Sequence, residues 1–398
     1  MKLIITCLLF LSGTGLCAAQ AVIFEPSLKT AFEKAEQQKK LVFVEYYNSE
    51  CPVCKKLEPV FSDAELGKFY NEHFINYKLN TENIRKEDSL FILRTGLKFE
   101  SVPYFLFFDN TEHFVHYSGT KQDITYLIEA GKTALNPVER SANLVNKYNS
   151  GDRSIKTLYA YSNLLQLYKN DSLRMIIAAE LFQAFPKADL GSEKSYIITK
   201  NCVSSIDNGF FMYWIGHVDE FKAFEKRSKN AHETNVLADI LLRSINSIER
   251  KNWSLSKIQA VKEMILKTEL SKDPNSFFWE QESMLLVKEN QSGKAADIFR
   301  QTIAANSDTI TAAVYVINYF LTLFKETADL RVVKPWIDRL SKKTKSKSEE
   351  AELMYSNILY YKKMKDRKMV TQLGKEAERF YKENKINTGK LDLLLTDS

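Results

Sequence analysis

Residues 41–61 have the sequence LVFVEYYNSECPVCKKLEPVF, which carries the clearest structural signal in the chain. Its first part, Leu41–Val44, is continuously apolar, as expected for a central strand that is buried on both faces. Pro52 suits the first position of a helix, where no amide hydrogen is needed, and apolar residues then recur at helical spacing. The stretch therefore predicts a strand that leads into a helix, with Cys51 and Cys54 at the junction.

The positions of the two cysteines suit thiol–disulfide exchange. Residues three apart in the first turn of a helix bring their sulfurs together, so a disulfide can close and reopen with little backbone movement. A helix N-terminus capped by Asn48 or Ser49 favours a thiolate on Cys51 and makes it the attacking sulfur. Cys54 lies one turn further in, and we expect it to be more buried and to resolve the mixed disulfide.

Two other interpretations of the Cys51–Cys54 pair remain open, half of a zinc site and a static structural disulfide. A zinc site needs a second pair of ligands. The one cysteine further along the chain is Cys202, and no histidine pair occurs at ligand spacing. We therefore predict no metal site and no cofactor. The static disulfide keeps open a second function, a non-enzymatic binding or scaffold protein of the cell envelope.

Residues 22–135 resemble a thioredoxin-fold domain, and the resemblance covers a little under a third of the chain. It is carried by separate positions before, within and after the cysteine motif: Glu45, Lys55, Pro59, Val102-Pro103 and Gly119. The stretch Cys54–Asp63 is most similar to the secreted bacterial thioredoxin-like branch. The resemblance implies an α/β fold with a central mixed sheet flanked by helices, and it implies a thiol–disulfide oxidoreductase.

The resemblance also implies roles for three residues outside the cysteine pair. Glu45 corresponds to a buried carboxylate that moves protons to and from Cys54, and a solvated glutamate on a strand edge is the alternative. Val102 and Pro103 correspond to a cis-proline turn whose backbone edge binds the substrate chain. An ordinary proline at the entry to a strand is the alternative there.

Departures from the thioredoxin pattern leave the direction of electron flow open. Thioredoxins have tryptophan before the first cysteine and Gly-Pro between the two, whereas this chain has Glu50 and Pro52-Val53. The Glu50 anion disfavours a thiolate on Cys51 and so opposes the effect of the helix N-terminus. Strongly oxidising relatives have a histidine at the second intervening position, where this chain has valine.

Residues 1–21 have the three-part pattern of a secretory signal peptide. The apolar run Leu3–Leu11 is too short to span a membrane, and small residues suit cleavage after Ala19 or Ala21. A buried N-terminal strand or helix is the alternative. We predict a periplasmic or secreted protein whose Cys51–Cys54 pair functions in an oxidising compartment.

Beyond Asn136-Pro137 the sequence predicts helices. Residues 138–398 contain three prolines and seven glycines, and helical periodicity replaces strand-like alternation. Four apolar anchors recur at similar intervals: Ile248, Val287, Phe324 and Tyr361. They predict a degenerate tetratricopeptide-like array of helical hairpins that binds a partner. The predicted organisation is a signal peptide at 1–21, a thioredoxin-like domain at 22–136 and an all-helical domain at 137–398.

The chemistry-bearing residues of the helical part have structural interpretations. Cys202 is interpreted as a small buried residue, with a redox partner or a dimerising thiol as the alternative. His217 and His232 are isolated histidines among mixed residues and are interpreted as surface or core residues, with metal ligands as the alternative. The basic run Arg339–Lys347 is interpreted as a solvated loop, with binding to a membrane surface or to nucleic acid as the alternative.

Composition and charge narrow the function classes. The chain has 398 residues, of which 44% are hydrophobic and 27% charged, and this balance excludes a disordered or collagen-like protein. Five cysteines are too few for a disulfide-stapled scaffold, and a net charge of +6 gives no reason to expect nucleic acid. We predict protein thiols and disulfides as substrates, an unidentified redox partner, no nucleic acid and no membrane span.

Overall fold

The computed structural model describes residues 21–227 and 235–396. The predicted signal peptide lies outside the described residues except for Ala21, and His232 also lies outside them. The predicted periplasmic or secreted location therefore stays a prediction.

The described chain forms two compact units. The first runs to Val203 and includes Asn208–Phe210, and the second comprises Ser204–Asp207 and the described residues from Phe211 onward. The first unit thus contains both the sheet and several of the helices that follow it. The domain boundary at residues 136–137 stays a prediction.

One mixed sheet of five strands forms within the described part of the first unit. The strands are β1 (Phe24–Glu25), β2 (Leu41–Tyr47), β3 (Phe74–Asn80), β4 (Tyr104–Phe108) and β5 (Phe114–Ser118). Their spatial order is β1-β3-β2-β4-β5. The strands β1, β3 and β2 are parallel, while β4 pairs antiparallel with both β2 and β5. The predicted central mixed sheet is confirmed.

Helices connect these strands and cover both faces of the sheet. They are α1 (Leu28–Gln38), α2 (Pro52–Lys55), α3 (Glu58–Phe61), α4 (Ala64–His73), α5 (Lys86–Thr95) and α6 (Ile124–Leu135). Side chains alternate along β2, so Val42 and Val44 enter one core together with residues of α1 and α5. Phe43 enters the other core, which α3, α4 and α6 cover. Glu45 follows Phe43 in this alternation and so lies on the face that carries the cysteine motif.

The described chain beyond α6 is mostly helical, as predicted. In the first unit the helices are α7 (Leu144–Asn149), α8 (Ile155–Leu167), α9 (Asp171–Ala184) and α10 (Glu193–Cys202). In the second unit they are α11 (Gly209–Ile215, which begins in the first unit), α12 (Val218–Arg227), α13 (Val236–Ile245), α14 (Leu255–Lys267), α15 (Trp279–Lys288), α16 (Ser292–Asn306), α17 (Ile310–Leu323), α18 (Thr327–Leu330), α19 (Lys334–Ser341), α20 (Lys347–Lys363), α21 (Arg367–Glu383) and α22 (Gly389–Thr396). Neighbours such as α15 and α16, or α20 and α21, pack in pairs.

One of the four predicted repeat anchors is wrong. Val287 and Tyr361 are partly buried against a core and Phe324 is fully buried. Ile248, in contrast, is 78% exposed, because α13 has already ended and the chain forms a 3-10 turn there. Trp253, at the end of that turn, is buried instead. The tetratricopeptide-like character of the helices stays a prediction.

The aromatic run and the basic run of the helical part lie in different environments. The Phe210–Trp214 run supplies three fully buried aromatic side chains, and the basic run around Lys342 and Lys343 lies in the exposed connection between α19 and α20. Among the described helices, none combines the length and the apolar character that crossing a membrane requires.

Candidate active site

The cysteine motif begins where β2 ends, and Cys51 itself caps the following helix. The predicted caps are wrong: the Asn48 side chain accepts the Glu50 N–H at 2.8 Å, and Ser49 is bonded to Glu82. Pro52 occupies the first helical position, as predicted. The predicted single helix is interrupted, because α2 has only four residues and α3 starts after a break that precedes Pro59.

The two sulfurs occupy different environments within one helical turn. Both cysteines are free thiols in this structure; Cys51 is half-buried, whereas Cys54 is only 2% exposed. The Cys54 N–H donates to Cys51 Sγ at 3.3 Å. This N–H group, rather than the dipole of a long helix, can stabilise negative charge on Cys51. Val53 between them is 46% exposed, so the motif is open to solvent on its outer side.

The environment of Cys54 disfavours its thiolate. Burial is the main cause that raises the pKa of Cys54 to about 12; the neighbouring Cys51 and Glu45 act in the same direction, and a hydrogen bond with the Asn48 backbone acts against them. A thiol with such a pKa needs a nearby proton acceptor before it can attack another sulfur. The structure therefore divides the pair into a reachable sulfur and a buried one.

The loop before β4 approaches the reachable sulfur. The Val102–Pro103 peptide bond is cis, and Cys51 Sγ lies 3.9 Å from the Val102 carbonyl oxygen. Pro103 is buried, while Val102 remains half-buried at the surface. The two residues that were predicted to bind substrate are thus brought together with the attacking cysteine.

Glu45 lies below the motif in the middle of the sheet. It is opposite Lys78 of β3 and Phe105 of β4 in the strand register, and its side chain is 0% exposed. Neither carboxylate oxygen has a hydrogen-bond partner. Burial raises the pKa of Glu45 to about 7, although the Lys78 ammonium, 3.3 Å away, acts in the opposite direction. A carboxyl group with this pKa can both accept and release a proton near neutral pH.

Lys78 is a site residue that the sequence reasoning missed. Its ammonium is shared between buried Glu45 and the exposed Glu58 of α3, whose carboxylate oxygen is 2.5 Å away. The aromatic rings of Phe24 and Phe61 lie about it at 4.8 and 5.1 Å. The available signal was a lysine inside the apolar strand FINYKLN, since a charge in such a strand requires a partner.

A second missed feature is an aromatic wall around the loop that precedes Val102. Phe99, in the loop before Val102, packs with its ring centroid 4.3 Å from that of Tyr46 and 5.1 Å from that of Tyr104. Tyr46 lies near the end of β2 and Tyr104 begins β4, so the wall joins this loop to both strands.

The remaining candidate residues lie elsewhere. Cys202 is fully buried at the end of α10, and burial raises its pKa to about 11. His217 is stacked on Tyr213 at the surface. Within residues 21–227 and 235–396, no group of three or more histidine, cysteine, aspartate or glutamate side chains is arranged to hold a metal ion.

Comparison with known proteins bears on the sheet-containing part of the chain. Residues 24–130 match the family model described as Thioredoxin. A solution structure of a provisionally assigned disulphide-isomerase from Bacteroides thetaiotaomicron is 26% identical and covers 29% of this chain and 95% of that chain, with a TM-score of 0.26. A search of curated proteins found no match. Residues 24–130 therefore form a thioredoxin domain, and a mostly helical region follows it.

Proposed function

We propose that the protein is a thiol–disulfide oxidoreductase that acts on protein thiols and disulfides through Cys51 and Cys54. One observation carries the proposal: a reachable free thiol and a buried free thiol share one helical turn. A buried carboxyl group whose pKa is about 7 lies beneath them. A purely structural disulfide has no use for such a proton acceptor, because nothing need be deprotonated once the bond is formed.

The residues suggest the following reduction of a substrate disulfide. The Cys51 thiolate attacks one substrate sulfur and forms a mixed disulfide with it, while the substrate S–S bond breaks and the other substrate sulfur leaves as a thiolate that takes up a proton from solvent. Glu45 then accepts the Cys54 proton, and the Cys54 thiolate attacks Cys51 Sγ. The second substrate thiolate leaves and takes up a proton. Two electrons have passed to the substrate, which becomes a dithiol, while Cys51 and Cys54 become a disulfide.

The same steps in reverse oxidise a substrate dithiol, and the direction depends on the redox partner. The Val102 carbonyl beside Cys51 offers a backbone acceptor to the substrate chain. The signal-peptide pattern of residues 1–21 supports exported proteins as substrates. The helices after the thioredoxin domain are proposed to bind a client or a redox partner.

Trapping of mixed disulfides tests the proposal. The Cys54→Ser variant keeps the attacking sulfur but lacks the resolving one, so it should accumulate reductant-sensitive adducts with cell-envelope proteins. The Cys51→Ser/Cys54→Ser variant is the control and should form none, and Cys202→Ser should behave like the unaltered protein because its sulfur is fully buried.

The reduction potential of the Cys51–Cys54 pair helps to identify the result that would contradict the proposal. No adducts with Cys54→Ser, no reduction of insulin and a potential well below about −300 mV would together support a structural disulfide. In that case the protein would be a non-enzymatic binding or scaffold protein instead.

A further inference from the structure

The loop that leads to the proline beside Cys51 is held by a turn from outside the thioredoxin domain. This loop, residues 96–101, follows α5 and ends at Val102. The Lys98 N–H donates to the carbonyl oxygen of Leu167 at 2.7 Å. Leu167 is the last residue of α8, well beyond the residues 24–130 that match the thioredoxin family model.

Two more residues of the same turn contact the loop. The Lys169 ammonium is paired with the Glu100 carboxylate. The Tyr168 ring lies against Gly96, the first residue of the loop, where a Cβ atom would be 3.9 Å from it. Gly96 has a φ of 72°, a conformation that favours glycine, so the loop begins in a constrained geometry directly beneath this ring. The contacts therefore occur at the start, the middle and the end of the loop.

The turn is itself anchored in the sheet. The Leu167 side chain is 3% exposed and belongs to the same apolar core as β2 and β4 residues. The Tyr168 ring also packs edge-on against Phe114 of β5, with ring centroids 6.2 Å apart. The turn residues Leu167, Tyr168 and Lys169, which we call the α8 turn, thus connect the loop to the rigid centre of the domain.

The loop carries one ring of the aromatic wall and leads directly to the carbonyl that lies beside the attacking sulfur. Phe99, between Lys98 and Glu100, carries the contact with Tyr46 described above. The Val102 carbonyl, 3.9 Å from Cys51 Sγ, follows directly after the loop. A displacement of the loop therefore moves the groups that a substrate chain meets while leaving Cys51 and its helix in place.

We propose that the α8 turn is a positioning element of the active site and that it fixes the substrate-facing loop beside Cys51. This inference rests on the proposed function. It predicts a particular division of effects, because a protein substrate needs the loop and a small thiol reagent does not. Loosening the turn should raise KM for a protein disulfide, whereas alkylation of Cys51 by iodoacetamide and the reduction potential should stay unchanged.

Charge reversal tests the ion pair of the α8 turn. Lys169→Glu places two anions together and should raise KM for insulin about threefold, the scale of a partly exposed ion pair. Glu100→Lys should have a similar effect, and the double reversal Lys169→Glu/Glu100→Lys should restore KM. The matched control is Lys156→Glu, since Lys156 of the same helix pairs with Glu139, which does not contact the loop. KM values for the single variants equal to that of the control would overturn the proposal.

A measurement that needs no activity separates this inference from the proposed function. The Lys98 amide donates to Leu167, so its hydrogen exchange reports directly on the contact. Tyr168→Ala should increase exchange at Lys98 and neighbouring amides several-fold, with a circular-dichroism melt to verify that the domain remains folded. Unchanged exchange in the folded variant would refute the positioning role. If Tyr168→Ala increases exchange at Lys98 but the unaltered protein reduces no disulfide, the contact between the turn and the loop is supported and only the oxidoreductase function is refuted.

Discussion

The thioredoxin domain and the second unit each pair a glutamate with a poorly exposed lysine, but the two pairs have opposite designs. In the second unit, Glu282 of α15 forms a direct hydrogen bond and ion pair with Lys262 of α14. In the sheet, the oxygens of Glu45 accept no hydrogen bond, and Lys78 is divided between that carboxylate and Glu58. A closed pair holds helices together, whereas an incompletely paired carboxyl group can exchange a proton.

The largest expected effect of testing this comparison is on the free energy of unfolding of the Glu45→Gln variant. The folded-state pKa of Glu45, about 7, lies above its ordinary value of 4.5, so the fold favours the protonated form. The wild-type protein therefore loses stability as the pH rises from 4.5 to 7, and the loss is complete above that range. The variant cannot ionise, so at pH 8 it should be more stable by on the order of 3 kcal/mol.

Chemical denaturation at pH 4.5 and pH 8 measures this difference. The advantage of Glu45→Gln should be large at pH 8 and nearly absent at pH 4.5. Equal pH dependence in the variant and the unaltered protein would show that Glu45 ionises in the folded state much as it does in the unfolded chain.

The same substitution in the other region should have the opposite sign. Glu282→Gln leaves the Lys262 ammonium, whose side chain is only 9% exposed, without its counter-charge. We expect a loss of about 2 kcal/mol in the free energy of unfolding, because removing one partner of a buried pair leaves an uncompensated charge. Denaturation at pH 8 provides the measurement, and stabilisation by Glu282→Gln would show that the two pairs are alike after all.

Part of the candidate active site was accessible from the sequence, and the reasons for the missing part are physical. The strand Leu41–Tyr47 and its cysteine motif follow from local patterns, since a continuous apolar run and a proline at the first helical position depend only on near neighbours. Lys78 could not be placed, because its position opposite Glu45 depends on the register of two strands that are distant in sequence. The α8 turn was missed for the same reason.

The errors in the sequence reasoning also have a common cause. Asn48 and Ser49 are favourable caps by residue type, but their side chains bond to Glu50 and Glu82 instead. Ile248 matched its repeat by spacing alone, yet the helix had already ended. In each case a preference averaged over many proteins gave way to a particular tertiary contact.

The smallest expected effect concerns Glu58. Its anion raises the pKa of Glu45 and competes for Lys78, so Glu58→Gln should lower the pKa of Glu45. The rate at which Cys54 resolves a mixed disulfide falls as the pH drops through the pKa of Glu45, because Glu45 must be ionised to accept the proton. In Glu58→Gln the midpoint of this fall should lie at a lower pH than in the unaltered protein, by a fraction of a pH unit. A single-turnover pH profile measures this shift. Glu65→Gln, which removes an exposed charge from α4, should leave the profile unchanged, and identical profiles for both variants would exclude a role for Glu58.

The contact between Lys98 and Leu167 has a consequence for the order in which the chain folds. Domains form as the chain emerges N-terminus first during synthesis. The sheet and α6 are complete by Leu135, but the core position of Leu167 stays empty until α8 has been made. Before then, the nascent domain exposes this apolar position and leaves the Lys98 amide without its partner. Cys51 and Cys54 are therefore synthesised before the contact with Leu167 that holds the substrate-facing loop can form.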